Sequence, residues 1–286
     1  MKSWEINIRD PFVLVHENQY YLYGTRSSTC WGLADGFDVY VSKDMQNWSK
    51  PIEVFHNKGD FWADRNYWAP EVHYYRDAFY MFATFQSETS CRGTQVLKAD
   101  NPLGPFKPHT KGPITPCDWE CIDGTFYVNE AGDPFMIFCH EHRQIIDGTI
   151  CVMQLSDDLL EIVGDIKTLF AASEASWTKA LNEEGHYVTD GPFIYTLSNK
   201  ELLMLWSSFG KYGYAQAVAR NKSKDILGDW SLCEELLFEK DGGHGMIFTG
   251  LDQKLYLTLH SPNETLKEHP VFWELEEKNH SLVIKK

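Results

Sequence analysis

Three aspartates stand at the start of similar short segments: Asp10 in RDPF, Asp123 in IDGTF and Asp190 in TDGPF. Ala69 and His244 occupy the matching place in two further segments, so the five positions recur at intervals of 59, 54, 67 and 54 residues. If the fold brings these positions together, the three carboxylates cannot all ionise freely, and at least one pKa must be raised. Carboxyl groups with separated pKa values are what a general acid and a general base require. The spacing therefore predicts acid–base chemistry.

The elements that carry these residues are predicted to be β-strands. Short alternating apolar runs bounded by Gly, Asn, Asp and Pro dominate the chain, which is typical of strands and hairpins. Each of the five segments consists of a turn motif, an apolar strand, a polar turn and a second apolar strand. They read RDPFVLVHENQYYLYGT, WAPEVHYYRDAFYMFAT, IDGTFYVNEAGDPFMIFCH, TDGPFIYTLSNKELLMLWS and GGHGMIFTGLDQKLYLTLH. A further strand pair follows each segment, so one repeat contains about four strands.

Repeats of four strands are typical of propeller blades. We predict an all-β protein, a five-bladed β-propeller in which residues 1–286 form a single catalytic domain. The first strand of each blade lines the central channel, so the five recurring positions would form a ring at one channel mouth and place the active site there. Taken singly, IDG and TDG are also ordinary turn sequences. Their recurrence at one position of the repeat favours the ring.

Composition limits the partners. The chain has 41 acidic and 26 basic residues and a formal net charge of −15, which argues against nucleic acid and anionic membranes. A neutral ligand is compatible with this charge, and nothing in the sequence indicates an oligomeric state. No apolar run approaches the roughly 20 residues of a membrane helix, and MKSWEINIRDPF lacks the apolar region of a signal peptide. Seven cysteines without a CxxC pair favour reduced thiols and a cytoplasmic location.

Six motifs in order at blade spacing resemble glycoside hydrolase family 43, and the resemblance covers essentially the whole chain. The motifs are RDPF, VYVSKDMQNW, WAPEV, IDGTFY, DGPFIY and GGHGMIF with the later LHSPN. The resemblance implies a five-bladed hydrolase that acts on arabinose- or xylose-containing glycans with inversion. It implies Asp10 as the general base, Asp190 as the general acid, and Asp123 as the residue that orients the acid and tunes its pKa. Inversion requires two carboxyl groups about 6.5–9.5 Å apart, which a propeller mouth can provide.

The segment around the predicted acid departs from the family pattern. The family usually has Glu in an EGP context, whereas this chain has Asp190 in TDGPF. Because Asp is one methylene shorter, either Asp190 lies nearer the leaving oxygen or another glutamate donates the proton. The alternative donors are Glu120, Glu174, Glu183 and Glu184, which could equally be solvated surface charges. We favour Asp190.

Further residues are predicted to contact the sugar or an ion. Trp68 precedes a recurring position and could stack on a sugar ring, and we also predict substrate contacts for Phe12, Glu71 and His244. The resemblance implies that His244 lies near a hard cation such as Ca²⁺, bound largely through water. A transition metal would need further close nitrogen or sulfur ligands, and a lone His among carboxylates is more often a hydrogen-bonded structural residue. No cofactor is predicted to be required.

The predicted function is removal of terminal α-L-arabinofuranosyl or β-D-xylosyl units from oligosaccharides by inverting hydrolysis. The terminal mode of attack rests on the cytoplasmic location, because an intracellular enzyme meets short oligosaccharides. Two alternatives stay open. The Asp in place of Glu is also compatible with a carbohydrate-binding propeller of weak or no activity, and an endo-acting arabinanase would have the same motifs. A phosphorylase would need a basic phosphate pocket, and the sequence has no basic cluster that would form one.

Overall fold

Twenty strands form five antiparallel sheets in the computed structural model, which describes residues 1–285. Each sheet has four strands, and neighbouring strands in a sheet follow one another along the chain. The first two blades contain β1 (Ile8–His16), β2 (Gln19–Arg26), β3 (Gly36–Ser42), β4 (Ile52–His56), β5 (Arg65–Tyr75), β6 (Ala78–Ser87), β7 (Ser90–Ala99) and β8 (Lys107–Pro108). The third contains β9 (Cys121–Val128), β10 (Pro134–His140), β11 (Thr149–Leu155) and β12 (Ile162–Ala171). The last two contain β13 (Asp190–Thr196), β14 (Leu202–Gly210), β15 (Gly213–Asn221), β16 (Ser231–Leu232), β17 (Gly243–Thr249), β18 (Leu255–Ser261), β19 (His269–Lys278) and β20 (Ser281–Ile284).

Helical structure is confined to short connections. Among the described residues one α-helical turn, α1 (His142–Ile145), follows β10, and 3₁₀ turns occupy Ser3–Glu5, Ser27–Thr29 and Ala172–Glu174. Within residues 1–285, no helix is long and apolar enough to cross a membrane. The cysteines of the same residues are all free thiols.

The five first strands surround a common channel. Each packs against the first strands of two neighbouring blades, and the contact of β1 with β17 closes the circle. The partly buried Arg9–Glu268 ion pair, with 2.8 Å between Nη1 and Oε1, joins the fifth blade to the first. Asn7 strengthens this junction by donating from Nδ2 to the carbonyl oxygen of Leu266 at 3.1 Å. The predicted five-bladed propeller is confirmed.

The core lies between the blades, where large apolar side chains of adjacent sheets interlock. Phe37 of the first blade and Phe85 of the second meet edge to face with ring centroids 5.7 Å apart, and Trp206 is fully buried between the third and fourth blades. Burial of one such side chain contributes about 1.5–3 kcal/mol. These interfaces fix the blades relative to one another and therefore fix the side chains at the channel mouth.

A β-bulge interrupts each first strand where it enters the channel. In every blade one residue of the bulge has a left-handed backbone, a conformation that is rare for residues other than glycine. We call these five the head residues: Asp10 (φ 52°), Ala69 (φ 46°), Asp123 (φ 57°), Gly191 (φ 52°) and His244 (φ 51°). Strained backbone of this kind concentrates at functional sites.

The fourth head residue corrects the sequence alignment of the repeats. Asp190 was expected at this position, but the structure places Gly191 there and Asp190 one residue earlier. Asp190 pairs with Ser207 just as Arg9 pairs with Thr25 in the first blade. A Cβ on Gly191 would lie 2.7 Å from the His244 ring, so glycine is required both by its φ and by this close approach. Asp190 therefore reaches the channel mouth from a different backbone position than Asp10 and Asp123.

Candidate active site

A cavity of about 290 Å³ lies at the head-residue end of the channel. Three head residues, Asp10, Asp123 and His244, line it together with Asp190. The remaining walls come from every blade and from the loops above them: Arg9, Cys30, Trp31, Trp68, Ile122, Glu141, His142, Arg143, Leu181, Val188, Phe209, Tyr214, Asn263 and Thr265. The structure thus brings the three predicted catalytic aspartates into one cavity.

Asp10 is buried among hydrogen-bond donors and basic side chains. Its Oδ2 accepts a hydrogen bond of 2.6 Å from Thr25 Oγ1, and its Oδ1 lies 3.3 Å from His244 Nδ1. Burial disfavours the charged form, but His244, Arg9 and His260 outweigh burial and lower the pKa of Asp10 below its ordinary value. Asp10 is therefore a carboxylate at neutral pH.

Asp190 is the same residue type in the opposite electrostatic environment. Burial and the nearby Asp123 raise its pKa to about 7. Tyr214 donates a hydrogen bond of 2.9 Å from its hydroxyl to Oδ2, which limits the rise by favouring the ionised form. Burial also raises the pKa of Tyr214 well above 10, so the phenol keeps its proton as a donor. Asp190 can thus be protonated near neutral pH while Asp10 is charged.

Asp123 links the other two aspartates. Its Oδ2 accepts a hydrogen bond of 3.0 Å from the amide of Gly191, the residue after Asp190. The same oxygen lies 3.7 Å from His244 Nδ1, which also faces Asp10. Burial and the charge of Asp10 raise the pKa of Asp123 well above its ordinary value. Asp123 therefore fixes the backbone beside Asp190 and contributes to the raised pKa of that residue.

Side chains of the second strands fix the head residues. The hydroxyl oxygens of Thr25, Thr84 and Ser207 accept the backbone N–H of the head residue in the next blade, at 2.7, 2.9 and 2.8 Å respectively. His260 Nδ1 accepts the backbone N–H of Asp10 at 3.2 Å. Burial lowers the pKa of His260 to about 3, so the ring is neutral and this nitrogen can accept a hydrogen bond. In the third blade the equivalent residue is Cys139, and the Gly191 amide binds Asp123 instead.

The predicted substrate contacts divide into two groups. Trp68 and His244 line the cavity. Phe12 and Glu71 do not line the cavity. Both follow a head residue along the strand, and their side chains pack inside the channel wall. Phe12 packs 4.9 Å from the His73 ring, and Glu71 accepts a hydrogen bond of 2.6 Å from Thr125. The assignment of Phe12 and Glu71 to the sugar pocket is therefore corrected.

The alternative acids lie outside the cavity. Glu183 and Glu184 are exposed on the loop before β13, and Glu174 accepts a hydrogen bond from the Ala171 amide at 2.7 Å. Glu120 is also absent from the lining and instead approaches Arg92 Nε at 3.6 Å. Of the carboxyl groups proposed from sequence as the acid, Asp190 is the one that faces the cavity.

Sequence reasoning missed Tyr214 and Glu141. Tyr214 belongs to the third strand of its blade, so no motif near Asp190 indicates it. Glu141, within CHEHR, directly follows β10 and is buried at the cavity wall. The cluster of ionisable residues in CHEHR could have indicated Glu141 from the sequence.

The family model for glycosyl hydrolases family 43 matches residues 5–278. The chain belongs to this family. None of the curated protein sequences compared with it matches.

Solved structures of glycosyl hydrolase family 43 resemble this member along its whole length. The endo-arabinase from Bacteroides thetaiotaomicron VPI-5482 is 39% identical with a TM-score of 0.91, and the alignment covers 98% of each chain. An endo-1,4-beta-xylanase from the same organism is 24% identical with a TM-score of 0.81, covering 98% of this chain and 95% of that one. An alpha-L-arabinofuranosidase from Lactobacillus brevis is 16% identical with a TM-score of 0.80, and the alignment covers 99% of this chain and 97% of that one. These two more distant likenesses concern the fold alone.

His244 faces two carboxylates in the part of this family 43 protein that the structure describes. Within residues 1–285, no group of three or more His, Cys, Asp or Glu side chains is arranged to ligate an ion. His244 Nδ1 is directed at Asp10 and Asp123, whose carboxylates are its partners. The cation that the family resemblance implies stays a prediction, and no catalytic step below depends on it.

Proposed function

We propose that the protein is an inverting glycosidase in which Asp10 is the general base and Asp190 the general acid. The observation that carries this proposal is that both aspartates line one cavity in different surroundings, with Asp10 in contact with Thr25 and His244. These surroundings shift the pKa values of Asp10 and Asp190 in opposite directions. A charged carboxylate and a protonated carboxyl group are the two forms that inversion requires. Asp123 is the positioning residue, because it binds the backbone next to the acid and helps to raise its pKa.

The proposed reaction transfers one proton at each carboxyl group. Asp10 accepts a proton from water while the water oxygen forms a bond to the anomeric carbon. The bond from that carbon to the leaving oxygen breaks, and Asp190 gives its proton to this oxygen. The water attacks on the face opposite the leaving group, so the anomeric configuration inverts. Exchange with solvent returns the proton from Asp10 to Asp190 before the next turnover.

The short side chain of Asp190 lines the cavity from the strand position before the bulge. Asp190 precedes the bulge, whereas a residue in the bulge would follow the path of Asp10 and Asp123. Tyr214 and the bond from Gly191 to Asp123 constrain its side chain and backbone. We therefore keep Asp190 as the acid in spite of the missing methylene.

The substrate class that we favour is an arabinose-containing oligosaccharide, attacked at its terminal unit. The 39% identity with an endo-arabinase supports arabinose over xylose. Two contacts between loops lie at the cavity: Trp31 Nε1 donates to Thr265 Oγ1 at 3.0 Å, and His142 Nδ1 lies 3.0 Å from His186 Nδ1. The terminal mode of attack is the part of the proposal that the assay below tests against the endo mode.

The second candidate is an endo-acting arabinanase. It is favoured by the same similar structure, whose name specifies endo action. The two candidates share the aspartates and the chemistry, and they differ in where the sugar chain passes across the mouth.

One set of assays tests the proposal and separates the candidates. The purified protein is incubated with p-nitrophenyl α-L-arabinofuranoside, with p-nitrophenyl β-D-xyloside and with an arabino-oligosaccharide of five units, and the anomer released first is observed by NMR. We expect release of arabinose of inverted configuration, with arabinotetraose as the complementary product. Initial release of arabinobiose and arabinotriose would instead support the endo mode. Retention of configuration would exclude the mechanism, and binding without turnover of any substrate would support a carbohydrate-binding propeller.

A further inference from the structure

Glu141 is a fourth carboxyl group in the cavity, and the proposed reaction does not use it. It follows the last residue of β10, is only 6% exposed, and lines the cavity with the three aspartates. A carboxyl group so deeply buried needs a charged or hydrogen-bonding partner. That partner is Arg92, which is itself 5% exposed.

The ion pair with Arg92 uses one oxygen of Glu141 and leaves the other available. Arg92 Nη1 donates to Oε2. Arg143 Nε lies 3.7 Å from Oε1, beyond hydrogen-bond distance. Oε1 is therefore a hydrogen-bond acceptor at the wall of a cavity that already contains the proposed acid and base.

Arg92 is fixed from several sides. Its Nε donates to Gln86 Oε1 at 3.2 Å, its backbone N–H donates to Glu120 Oε2 at 3.2 Å, and its guanidinium lies 5.2 Å from the ring centroid of Trp68. Trp68 is anchored in turn by a hydrogen bond of 2.6 Å from Nε1 to the carbonyl oxygen of Cys30. One guanidinium thus positions both an aromatic wall and a carboxylate wall of the same cavity.

We infer that Glu141 is a substrate-binding residue whose Oε1 accepts a hydrogen bond from a hydroxyl group of the sugar bound at Asp10 and Asp190, with Arg92 as its positioning residue. This inference rests on the proposed function. Carboxylates that face a sugar site are well suited to hydroxyl groups, because an ionised acceptor forms the stronger class of hydrogen bond. The residue would make the site specific for sugars that carry that hydroxyl, since an analogue without it leaves a buried acceptor unpaired.

The charge of Glu141 gives the inference a second readout. Glu141 contributes to the raised pKa of Asp190, after burial and Asp123. Replacing Glu141 by Gln removes that charge, so the pKa of Asp190 falls. The loss of activity at high pH should then begin at a lower pH than in the wild type.

The test compares Glu141→Ala and Glu141→Gln with the matched control Glu120→Gln. Glu120 also contacts Arg92 but does not line the cavity. Each protein is assayed on p-nitrophenyl α-L-arabinofuranoside and on its monodeoxy analogues, and melting curves identify variants that fail to fold. We expect Glu141→Ala to lower kcat/KM by about tenfold to a hundredfold, which corresponds to one hydrogen bond to a charged group. Glu120→Gln should change it less than about threefold, within the range of a partly exposed ion pair.

The deoxy analogues decide between substrate binding and a purely structural role. One analogue should be poor for the wild type, yet Glu141→Ala should process it as well as the full sugar, because the lost hydroxyl has no partner there. Equal penalties for every analogue in the wild type and in Glu141→Ala would overturn the inference, as would equal activity of the Glu141 and Glu120 variants. If the wild type turns over none of these substrates, binding of arabinotriose is measured by calorimetry with the same variants. Binding that Glu141→Ala weakens while Glu120→Gln does not would support the inference without the proposed catalysis, and no binding by the wild type would overturn both.

Discussion

Asp10 and Asp190 face the same cavity with opposite proton affinities. Asp10 is the bulged residue of its strand and is surrounded by Thr25, His244 and Arg9, which favour its charge. Asp190 precedes the bulge, has one hydroxyl donor and lies beside Asp123, which disfavours its charge. The repeat places two aspartates at similar positions in two blades. The comparison shows that the residues around each aspartate, and not the repeat itself, decide whether its pKa is lowered or raised.

Removing the charge of Asp10 is expected to have the largest effect. Asp10→Asn should lower kcat/KM by about 10²–10⁴-fold on oligosaccharides and on nitrophenyl glycosides alike, because both substrates need an activated water. Initial rates on the two substrate types measure this. Full activity of a folded Asp10→Asn protein would remove Asp10 from the mechanism.

Removing the proton donor is expected to affect the two substrates unequally. Asp190→Asn should lower kcat/KM on arabino-oligosaccharides by about 10²–10⁴-fold. The loss on the nitrophenyl glycoside should be much smaller, since nitrophenolate leaves without much protonation. Parallel assays of both substrates provide the measurement. Equal losses on both would indicate that Asp190 is not the acid.

The same two substitutions should change stability in opposite directions. Asp190 has a raised pKa in the folded protein, so the folded state binds more protons than the unfolded state between about pH 4 and 7, and stability falls as pH rises through this window. Asp190→Asn removes that penalty, and its Tm at pH 8 should exceed that of the wild type. Asp10 has a lowered pKa, so its carboxylate stabilises the fold at pH 8 and is lost on acidification. Asp10→Asn should therefore lower the Tm at pH 8, as calorimetry would measure. A higher Tm for Asp10→Asn would contradict the assignment.

Removing the hydroxyl group of Tyr214 or of Thr25 is expected to have the smallest effect, a shift in one limb of the pH profile of activity. Tyr214 lowers the pKa of Asp190 and Thr25 lowers the pKa of Asp10. Tyr214→Phe should therefore move the activity loss at high pH to a higher pH, and Thr25→Val should move the activity loss at low pH to a higher pH. Each shift should be about one pH unit or less, because one neutral hydrogen bond contributes about 0.5–1.5 kcal/mol. A Tyr214→Phe protein with an unchanged profile would show that the phenol does not act on Asp190.

The architecture and the three aspartates were predictable because both repeat along the chain. The five strand pairs give a period, and the residue at the start of each period enters the channel. The error at the fourth blade arose because IDG and TDG look alike, although the Gly-Pro pair of TDGP occupies the bulge and moves the aspartate one residue earlier. The residue directly before a head residue can also line the cavity, as Arg9, Trp68 and Asp190 do.

Other parts of the site depend on contacts that no local pattern records. Tyr214 reaches Asp190 from the third strand of the blade, and Arg92 reaches Glu141 from a different blade. Phe12 was misplaced because the bulge changes the strand's alternation, so counting residues along the strand assigns the wrong surroundings. Side chains brought together by the blade interfaces need the tertiary structure to be recognised.

The pH dependence of kcat/KM, compared between the wild type and Asp190→Asn on an arabino-oligosaccharide, whose leaving group needs the proton, tests the central claim most directly. The wild type needs Asp10 ionised and Asp190 protonated, so its activity should rise at acidic pH, below the ordinary pKa of an aspartate, and fall above about pH 7. Asp190→Asn should retain the acidic limb and lose the fall above pH 7. An unchanged fall above pH 7 in Asp190→Asn would contradict the assignment of Asp190 as the protonated partner of Asp10.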